Sequence, residues 1–265
     1  MMRIHTFVIL GYKESPYIEE CILSLKAQRV PSDIILTTST PNDHLSSLAQ
    51  KYNIPYFINQ NPAGTIGSDW NFALSKAQTP LVTLAHQDDI YQNEFSQQVI
   101  HTYNHYMARK LQLVFTGYAD LVGDNLRDTS RNAIVKKVLL LPFRLSRAVK
   151  NKFLKTAALA FGDAICCPSV TLNMAYLKDF KFDEHYTCAL DWEAWYRLAH
   201  QEGYFVYLSE VLLLHRIHPG SETTVQLENG KRSREEAAIF KKIWGRAVGS
   251  LLSSIYKLGH LDNRL

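Results

Sequence analysis

Nowhere in these 265 residues do apolar side chains run long enough to cross a bilayer. A membrane-spanning helix needs about 20 of them, and the greasiest stretches, Val138–Leu141 and Val211–Leu214, are far shorter. Cysteine is scarce, with four in the chain. Cys166 and Cys167 are neighbours, a pairing that only a strained bridge allows, and Cys21 and Cys188 stand alone in apolar surroundings. No spacing matches a zinc site, so a disulfide-built secreted scaffold and a structural zinc module are both excluded, and buried thiols are expected. The opening MMRIHTFVIL has no charged leader, apolar core or small-residue cleavage site. No signal peptide is read, and a cytoplasmic protein is expected. Repeats and low-complexity tracts are missing too. Carboxylates are absent from Lys136–Lys155, which carries seven Lys or Arg; with a net charge of +4 overall, the rest of the chain sums to −3. The basicity is local, which argues against a general nucleic-acid binder.

What is present is ordinary globular composition, 46% hydrophobic and 20% charged, arranged in two alternating periods. Strand-like runs at His5–Leu10, Ile34–Thr38, Pro55–Ile58, Leu81–Ala85 and Gln112–Thr116 alternate with helical spacing at Ser15–Gln28, Asn42–Tyr52, Thr65–Ala77 and Glu94–Ala108. Ser15–Pro16 reads as a cap and first-turn proline. This is the pattern of βαβ units, an α/β fold with a mainly parallel central sheet flanked by helices. The regularity breaks over residues 118–161. It resumes with a strand at Pro168–Leu172, a helix from Leu190 to Glu202, a strand pair near Tyr204–Leu214, and one helix from Arg232 to about Lys257. In open α/β sheets ligands bind beyond the carboxyl ends of the strands, and those ends here are polar or glycine-bearing: Gly11–Glu14, Ser39–Asp43, Asn59–Gly67 and His86–Asp89.

Three local features carry chemistry. His86-Gln87-Asp88-Asp89 closes a hydrophobic strand with two adjacent carboxylates. They repel unless a positive charge lies near, which a hard divalent cation supplies, though a helix cap is an equally simple reading. Leu190-Asp191-Trp192 sets Asp191 at the start of a Trp-rich helix. A desolvated carboxylate there suits a general base; a cap backed by core tryptophans is the plainer alternative. His215-Arg216-Ile217-His218 follows a strand, so alternation sends Arg216 and His218 to one side and His215 to the other. An Arg and a His on one side suit a diphosphate and a metal; a surface loop is the alternative.

In order and spacing these features resemble family 2 glycosyltransferases of GT-A fold. The likeness begins at Phe7–Glu14 and at the Cys21–Gln28 helix, similar to the family's "cLeSLlaQ" helix. It continues through Asn61-Pro62-Ala63-Gly64 with Asn71-Phe72-Ala73-Leu74. His86–Asp89 falls at the D-x-D place, Leu190-Asp191-Trp192 at the E-D-W place and Arg216-Ile217-His218 at the late R-x-H. It spans about residues 4–224. The resemblance implies an inverting transfer of sugar from a nucleotide-diphosphate sugar, UDP-linked by default, to an acceptor hydroxyl. It implies Asp191 as base, with Tyr12, Glu14, Gly64, Asn71, Asp88 and Arg216 around the donor. Asp88, Asp89 and His218 would hold Mn²⁺ or Mg²⁺. A saccharide or lipid-linked acceptor and a bacterial surface polysaccharide or glycoconjugate are the implied context. Three departures stand out. His86 occupies the first D-x-D position, Leu190 replaces the Glu of E-D, and Thr37–Asp43 lacks the usual carboxylate directly after the second strand.

The implied organisation is a catalytic domain over 1–224, with a basic helical insert at about 127–161, and a C-terminal helical extension over 225–265. Residues 136–155 project onto one helix, with Val138, Leu141, Leu145, Val149 and Phe153 on one face and Arg144, Arg147, Lys150 and Lys155 on another. Pro142 interrupts the pattern. Two readings stand: a helix capping the domain, or a peripheral helix on the anionic inner face of a membrane. The rival functions are a non-catalytic nucleotide-sugar-binding protein of the same fold and a nucleotidyltransferase. The second calls for a phosphate-cradling glycine loop with basic residues, and Gly11-Tyr12-Lys13-Glu14 is a poor one.

Overall fold

The structure is a computed structural model that describes residues 3–61, 64–127, 131–220 and 230–260, without the side chains of 131–133 and 258–260. Pro62 and Ala63 of the glycine-bearing stretch, and the 221–229 segment holding the expected domain boundary, lie outside the described residues, as do 261–265.

The first half forms as the alternation predicts. Strands β1 (His5–Gly11), β2 (Asp33–Thr38), β3 (Tyr56–Ile58) and β4 (Leu81–His86) pair in parallel in the order β3-β2-β1-β4. Helices α1 (Ile18–Lys26), α2 (Asp43–Lys51) and α3 (Ile66–Lys76) make the crossovers. β1 is apolar from Phe7 to Leu10 because both of its faces are covered, and its buried His5 and Thr6 are hydrogen-bonded. Phe7 and Ile9 enter one hydrophobic core with Ile18, Ile22, Leu36 and Phe95, while Val8 enters the other with Trp70, Leu84, Phe115 and Trp192. Asn42 caps α2 and Thr65 caps α3, each side-chain oxygen accepting a backbone N–H of the first turn. Ser15 does not cap α1, which starts at Ile18 without a side-chain cap. Its hydroxyl donates to Asp88 instead, at 2.9 Å.

The second half is where the sheet becomes mixed. β5 (Ile90–Tyr91) is followed by α4 (Phe95–Tyr106) and β6 (Leu111–Val122). A short hairpin strand, β7 (Asn125–Arg127), folds back on β6. β9 (Val170–Asn173) slots between β4 and β6, antiparallel to both. Beyond β6 lies β10 (Tyr204–Ile217), a single strand and not the expected pair. Ser209–Glu210 reads as a turn in sequence, but it is a bulge at which β10 slips register against β6. The bulge fits because its partner is Gly117, where a Cβ atom would come within 2.8 Å of the Ser209 and Glu210 carbonyl oxygens.

The 136–155 segment is not one helix. It breaks into the end of α5 (Arg131–Leu139), α6 (Leu141–Leu145), β8 (Ala148–Val149) paired to β10, and the start of α7 (Lys152–Leu159). Pro142 sits in the first turn of α6, where it begins a helix, and Asn151 caps α7. The projected faces therefore dissolve. Val149 is buried while Val138, Leu141, Leu145 and Phe153 are exposed. Lys155 leaves the basic face altogether. It is fully buried, and its Nζ donates to Gln112 Oε1 and to the Gln201 and Gly203 carbonyls at 2.8 to 3.0 Å. Burial lowers its pKa to about 8. Three acceptors for three donors make the buried amine tolerable; removing it strands them, at roughly 1–3 kcal/mol for a buried polar group left unpaired.

After α8 (Leu190–Ala199), the expected final helix is two, α9 (Lys231–Trp244) and α10 (Arg246–His260). The break is Gly245, held at φ 76°, a left-handed turn that ends a helix. Ile239 and Phe240 of α9 are buried in the same core as Trp192 and Trp195.

Candidate functional site

The carboxyl ends of β1, β4 and β10 meet. After β1 the chain turns through Tyr12–Ser15, and Gln87 locks that turn to the end of β4: its amide accepts from Tyr12 N–H at 2.9 Å and donates to Tyr12 O at 3.0 Å. Next to it Asp88 receives the Ser15 hydroxyl on Oδ1, and its Oδ2 lies 3.2 Å from His218 Nε2. Arg216 N–H donates to Asp89 Oδ1 and Arg216 Nε to Asp88 O, both at 3.0 Å, and its guanidinium reaches Glu20. Tyr17 backs both side chains, with the Arg216 guanidinium 4.5 Å from its ring centre and the His218 ring at 4.9 Å. Alternation along β10 thus brings Arg216 and His218 to Asp88, as the sequence predicts.

The helix-cap alternative for Asp88 and Asp89 finds no counterpart, since α4 begins at Phe95 after Glu94. Asp89 is buried, its Oδ2 has no hydrogen-bond partner among the described residues, and burial raises its pKa to about 6. His86 Nε2 is likewise buried without a partner, and burial drops that ring to about 4, so it is neutral at physiological pH. His215, on the opposite side of β10, pairs with Asp120 of β6 at 3.0 Å. Burial opposes its charge, but the Asp120 hydrogen bond and the Asp89 and Asp120 charges outweigh it and raise its pKa.

Asp191 stands in the first turn of α8 with Oδ1 accepting the Trp192 N–H at 2.9 Å. Just ahead of the helix, the Glu235 carboxylate of α9 accepts from Thr187, Cys188 and Ala189 N–H at 2.7 to 3.1 Å. Trp192 and Trp195 are core and Asp191 takes a first-turn N–H, as the plainer reading holds. Burial raises its pKa, against the pull of the Arg232 charge. Asp163, on the segment after α7, lies within electrostatic reach of it. Cys166 and Cys167 lie within electrostatic reach of both Asp89 and Asp163.

The remaining expected donor residues divide. Tyr12 and Glu14 are exposed at the rim and Gly64 stands just before α3 at φ 57°. Asn71 is engaged elsewhere. Its amide donates to Phe182 O and Glu184 and accepts Phe182 N–H, pinning a distant loop to α3. With both ends so committed, it does not present a free group to a donor. At the end of β2 the Asp69 carboxylate of α3 receives Ser39 Oγ at 2.6 Å and Asn59 Nδ2 at 2.8 Å. Motif reading missed Gln87, Asp69, Asp120 and Glu235, because each finds its partner on another element and no spacing within the chain announces it.

Among the described residues no three His, Cys, Asp or Glu side chains form a ready-made metal cage. The donor chemistry still fits a divalent ion: two adjacent hard carboxylates, one with a buried oxygen unmatched by any protein donor. Such an ion would share its shell between protein and diphosphate oxygens.

A protein-family model described as glycosyl transferase family 2 matches residues 6–173. Among solved structures, S. aureus TarS 1–349 in complex with UDP-GlcNAc superposes with a TM-score of 0.66 at 16% identity, over 98% of this chain and 73% of that one. The mannosyltransferase PcManGT from Pyrobaculum calidifontis, in complex with GDP-Man and Mn²⁺, gives 0.66 at 12%, over 99% and 71%. Glucosyl-3-phosphoglycerate synthase from Mycobacterium tuberculosis gives 0.57 at 13%, over 91% and 80%. No curated protein matches the chain.

Proposed function

The chain belongs to glycosyl transferase family 2 and has the GT-A fold, and on that premise we propose that it inverts an anomeric centre while moving a hexose from a nucleotide-diphosphate sugar to an acceptor hydroxyl. The observation that carries the proposal is the convergence of Asp88, Asp89, Arg216 and His218 at the strand ends, with Asp191 on the first turn of α8. Asp191 takes the proton of the acceptor hydroxyl. The oxygen attacks the anomeric carbon from the side opposite the diphosphate, the carbon–oxygen bond to that diphosphate breaks, and the nucleoside diphosphate leaves with the bonding pair. Arg216 brings positive charge to the departing phosphates, and His218 stands against the same Tyr17 ring. Asp88 and Asp89 would hold Mn²⁺ or Mg²⁺, whose chemistry when bound is to neutralise the same charge. Tyr12 and Glu14 flank the nucleoside, Gly64 lets the chain pass close to it, and Asp69 stands where the base-reading carboxylate is absent.

A panel of UDP-, GDP-, ADP-, dTDP- and CMP-sugars read by thermal shift tests this. One nucleotide class is expected to raise the melting temperature with Mn²⁺ and to lose that effect with EDTA. Stabilisation by none, or by all equally, would sink the proposal.

The insert supplies a partner surface. Leu145 is 81% and Phe153 78% exposed, and around them Lys137, Arg144, Arg147, Lys150 and Lys152 face solvent with no carboxylate in the same segment. Greasy side chains set among cations suit the anionic face of a bilayer, and a lipid-linked acceptor in surface-polysaccharide synthesis would give that contact a purpose. No helix among the described residues is long and apolar enough to cross a membrane, so this contact is peripheral. In liposome flotation the protein is expected to rise with vesicles containing anionic lipid and to stay down with neutral ones. Changing Arg144, Arg147 and Lys150 to Gln should abolish flotation; undiminished flotation would end the idea.

A further inference from the structure

We propose that α10 is a second bilayer contact: the solvent side of this helix, Val248, Leu251 and Ile255, with Trp244 and Phe161 at its start, seats in the boundary between headgroups and acyl chains of an anionic membrane. The inference rests on reading the protein as a peripheral membrane partner through its insert, and it adds a separate element to that reading.

Only one side of α10 is held to the domain. Leu252 and Tyr256 pack onto the core, with the Tyr256 ring 5.9 Å from Trp192 and 5.3 Å from Phe240. Gly249 lets the helix close on α9, since a Cβ there would meet the Lys241 backbone and the Phe240 carbonyl oxygen at 2.6 Å. Away from the core, Val248, Leu251 and Ile255 recur at i, i+3 and i+7 and are 48 to 63% exposed. A helix that only covers a core carries polar residues on that side. Here the polar residues are confined to one edge, Arg246, Ser250, Ser254 and Lys257. The Ser250 and Ser254 hydroxyls donate to the Arg246 and Ser250 carbonyls of their own helix, at 2.7 and 3.0 Å, so they carry no unmet donor into an apolar boundary. At the start of the helix the Trp244 and Phe161 rings lie 5.0 Å apart and both are exposed. Trp244 Nε1 donates to Ala160 O at 2.7 Å, which fixes the indole with one edge open. An apolar ring with a satisfied polar end suits the membrane boundary.

Charge selects the occupant. From Ala237 to Leu261 the chain has no carboxylate and carries Lys241, Lys242, Arg246 and Lys257. Lys242 is taken by Glu193 at 3.0 Å. The other three are exposed and make no ion pair among the described residues. A second copy of this chain on the strip would add like charges, whereas anionic headgroups complement them. Long Lys and Arg side chains reach from an apolar strip up to headgroup level.

The test uses the full chain and vesicles of phosphatidylcholine with phosphatidylglycerol, with and without brominated acyl chains. Of the four tryptophans, Trp70, Trp192 and Trp195 are buried, so quenching by the brominated lipid reports Trp244. The wild type is expected to float and to be quenched, and Trp244→Phe to float without quenching. Changing Val248, Leu251 and Ile255 together to Gln should lower the partition coefficient by roughly tenfold or more. All three side chains are exposed, so the melting temperature should hold; if that variant fails to fold, wild-type quenching decides. A wild type that floats unquenched, or a triple variant that floats as the wild type does, overturns the role of α10 and leaves the insert contact standing. A wild type that does not float at all defeats the membrane reading itself. A dimer in light scattering that the triple variant splits would assign the strip to a second copy, and overturns the proposal as well.

Discussion

Asp191→Asn is expected to lower the transfer rate by roughly 100- to 10,000-fold, the range in which a positioned general base acts, while donor affinity stays within a factor of about two. The reason for so clean a split is architectural. Glu235 holds the chain just ahead of α8, and behind it Trp192 and Trp195 are locked in the core. An Asn side chain of the same shape can still accept the Trp192 N–H. The helix should therefore stay where it is, and what disappears is the negative charge that takes the proton. Single-turnover kinetics report the chemical step and calorimetry with the donor reports binding. Transfer at the wild-type rate would show that another group is the base, and a parallel loss of donor binding would place Asp191 in the donor pocket.

Asp89→Asn is expected to weaken donor binding in the presence of Mn²⁺ by roughly 100-fold, about 3 kcal/mol, and to leave metal-free binding nearly unchanged. Asn is more informative than Ala here. Asp89 Oδ1 accepts the Arg216 N–H in a buried setting, and Ala would strand that donor at roughly 1–3 kcal/mol of stability. Asn preserves the acceptor and removes only the charge. The same site sets a pH dependence. Burial holds the Asp89 carboxyl near a pKa of about 6, so its charged form is lost as pH falls below that value. Metal-assisted donor affinity should then drop about tenfold per pH unit, and the Asn variant should lack this slope. For the fold without ligand the sign is reversed: with the folded pKa raised, Asp89 costs stability as pH rises from the ordinary carboxylate range to about 6. Calorimetric titrations at pH 5, 6 and 7 separate the cases. An Asp89→Asn protein that binds donor as the wild type does, with Mn²⁺ present, would remove the carboxylate pair from the metal's shell.

Much of this site is legible in the chain. Strand and helix in the first half follow from local periodicity, because each β1 to β4 segment is short, apolar and bounded by a helix of matching amphipathic spacing. Parallel connections then bring all the strand ends to one side, so the carboxyl-terminal polar residues converge without further instruction. That is why Tyr12, Asp88 and Asp89 group together on sequence alone. The period of a strand does the same for Arg216 and His218. The second half is less readable. Ser209–Glu210 has turn chemistry, yet it is a bulge, since only the pairing of β10 with Gly117 opposite makes room for one. Residues 136–155 have helical periodicity, yet they split, because Phe143 and Val149 find buried places that a single straight helix cannot supply together.

The α/β class, the family and the residues at the strand ends are written in the amino-acid order, since all of them depend on neighbours within one or two turns of chain. Which polar groups face each other is settled by packing. Lys155 turns inward to three acceptors supplied by β6 and the 201–203 turn. Asn71 is taken up by the loop at 182–184, and Glu235 accepts three backbone N–H groups of residues 187–189, well before it in the chain. The physical reason is common to all three. A buried polar group must find a partner, and the tertiary arrangement selects which one it meets, so the pairing is a property of the folded chain and leaves no local mark in the sequence.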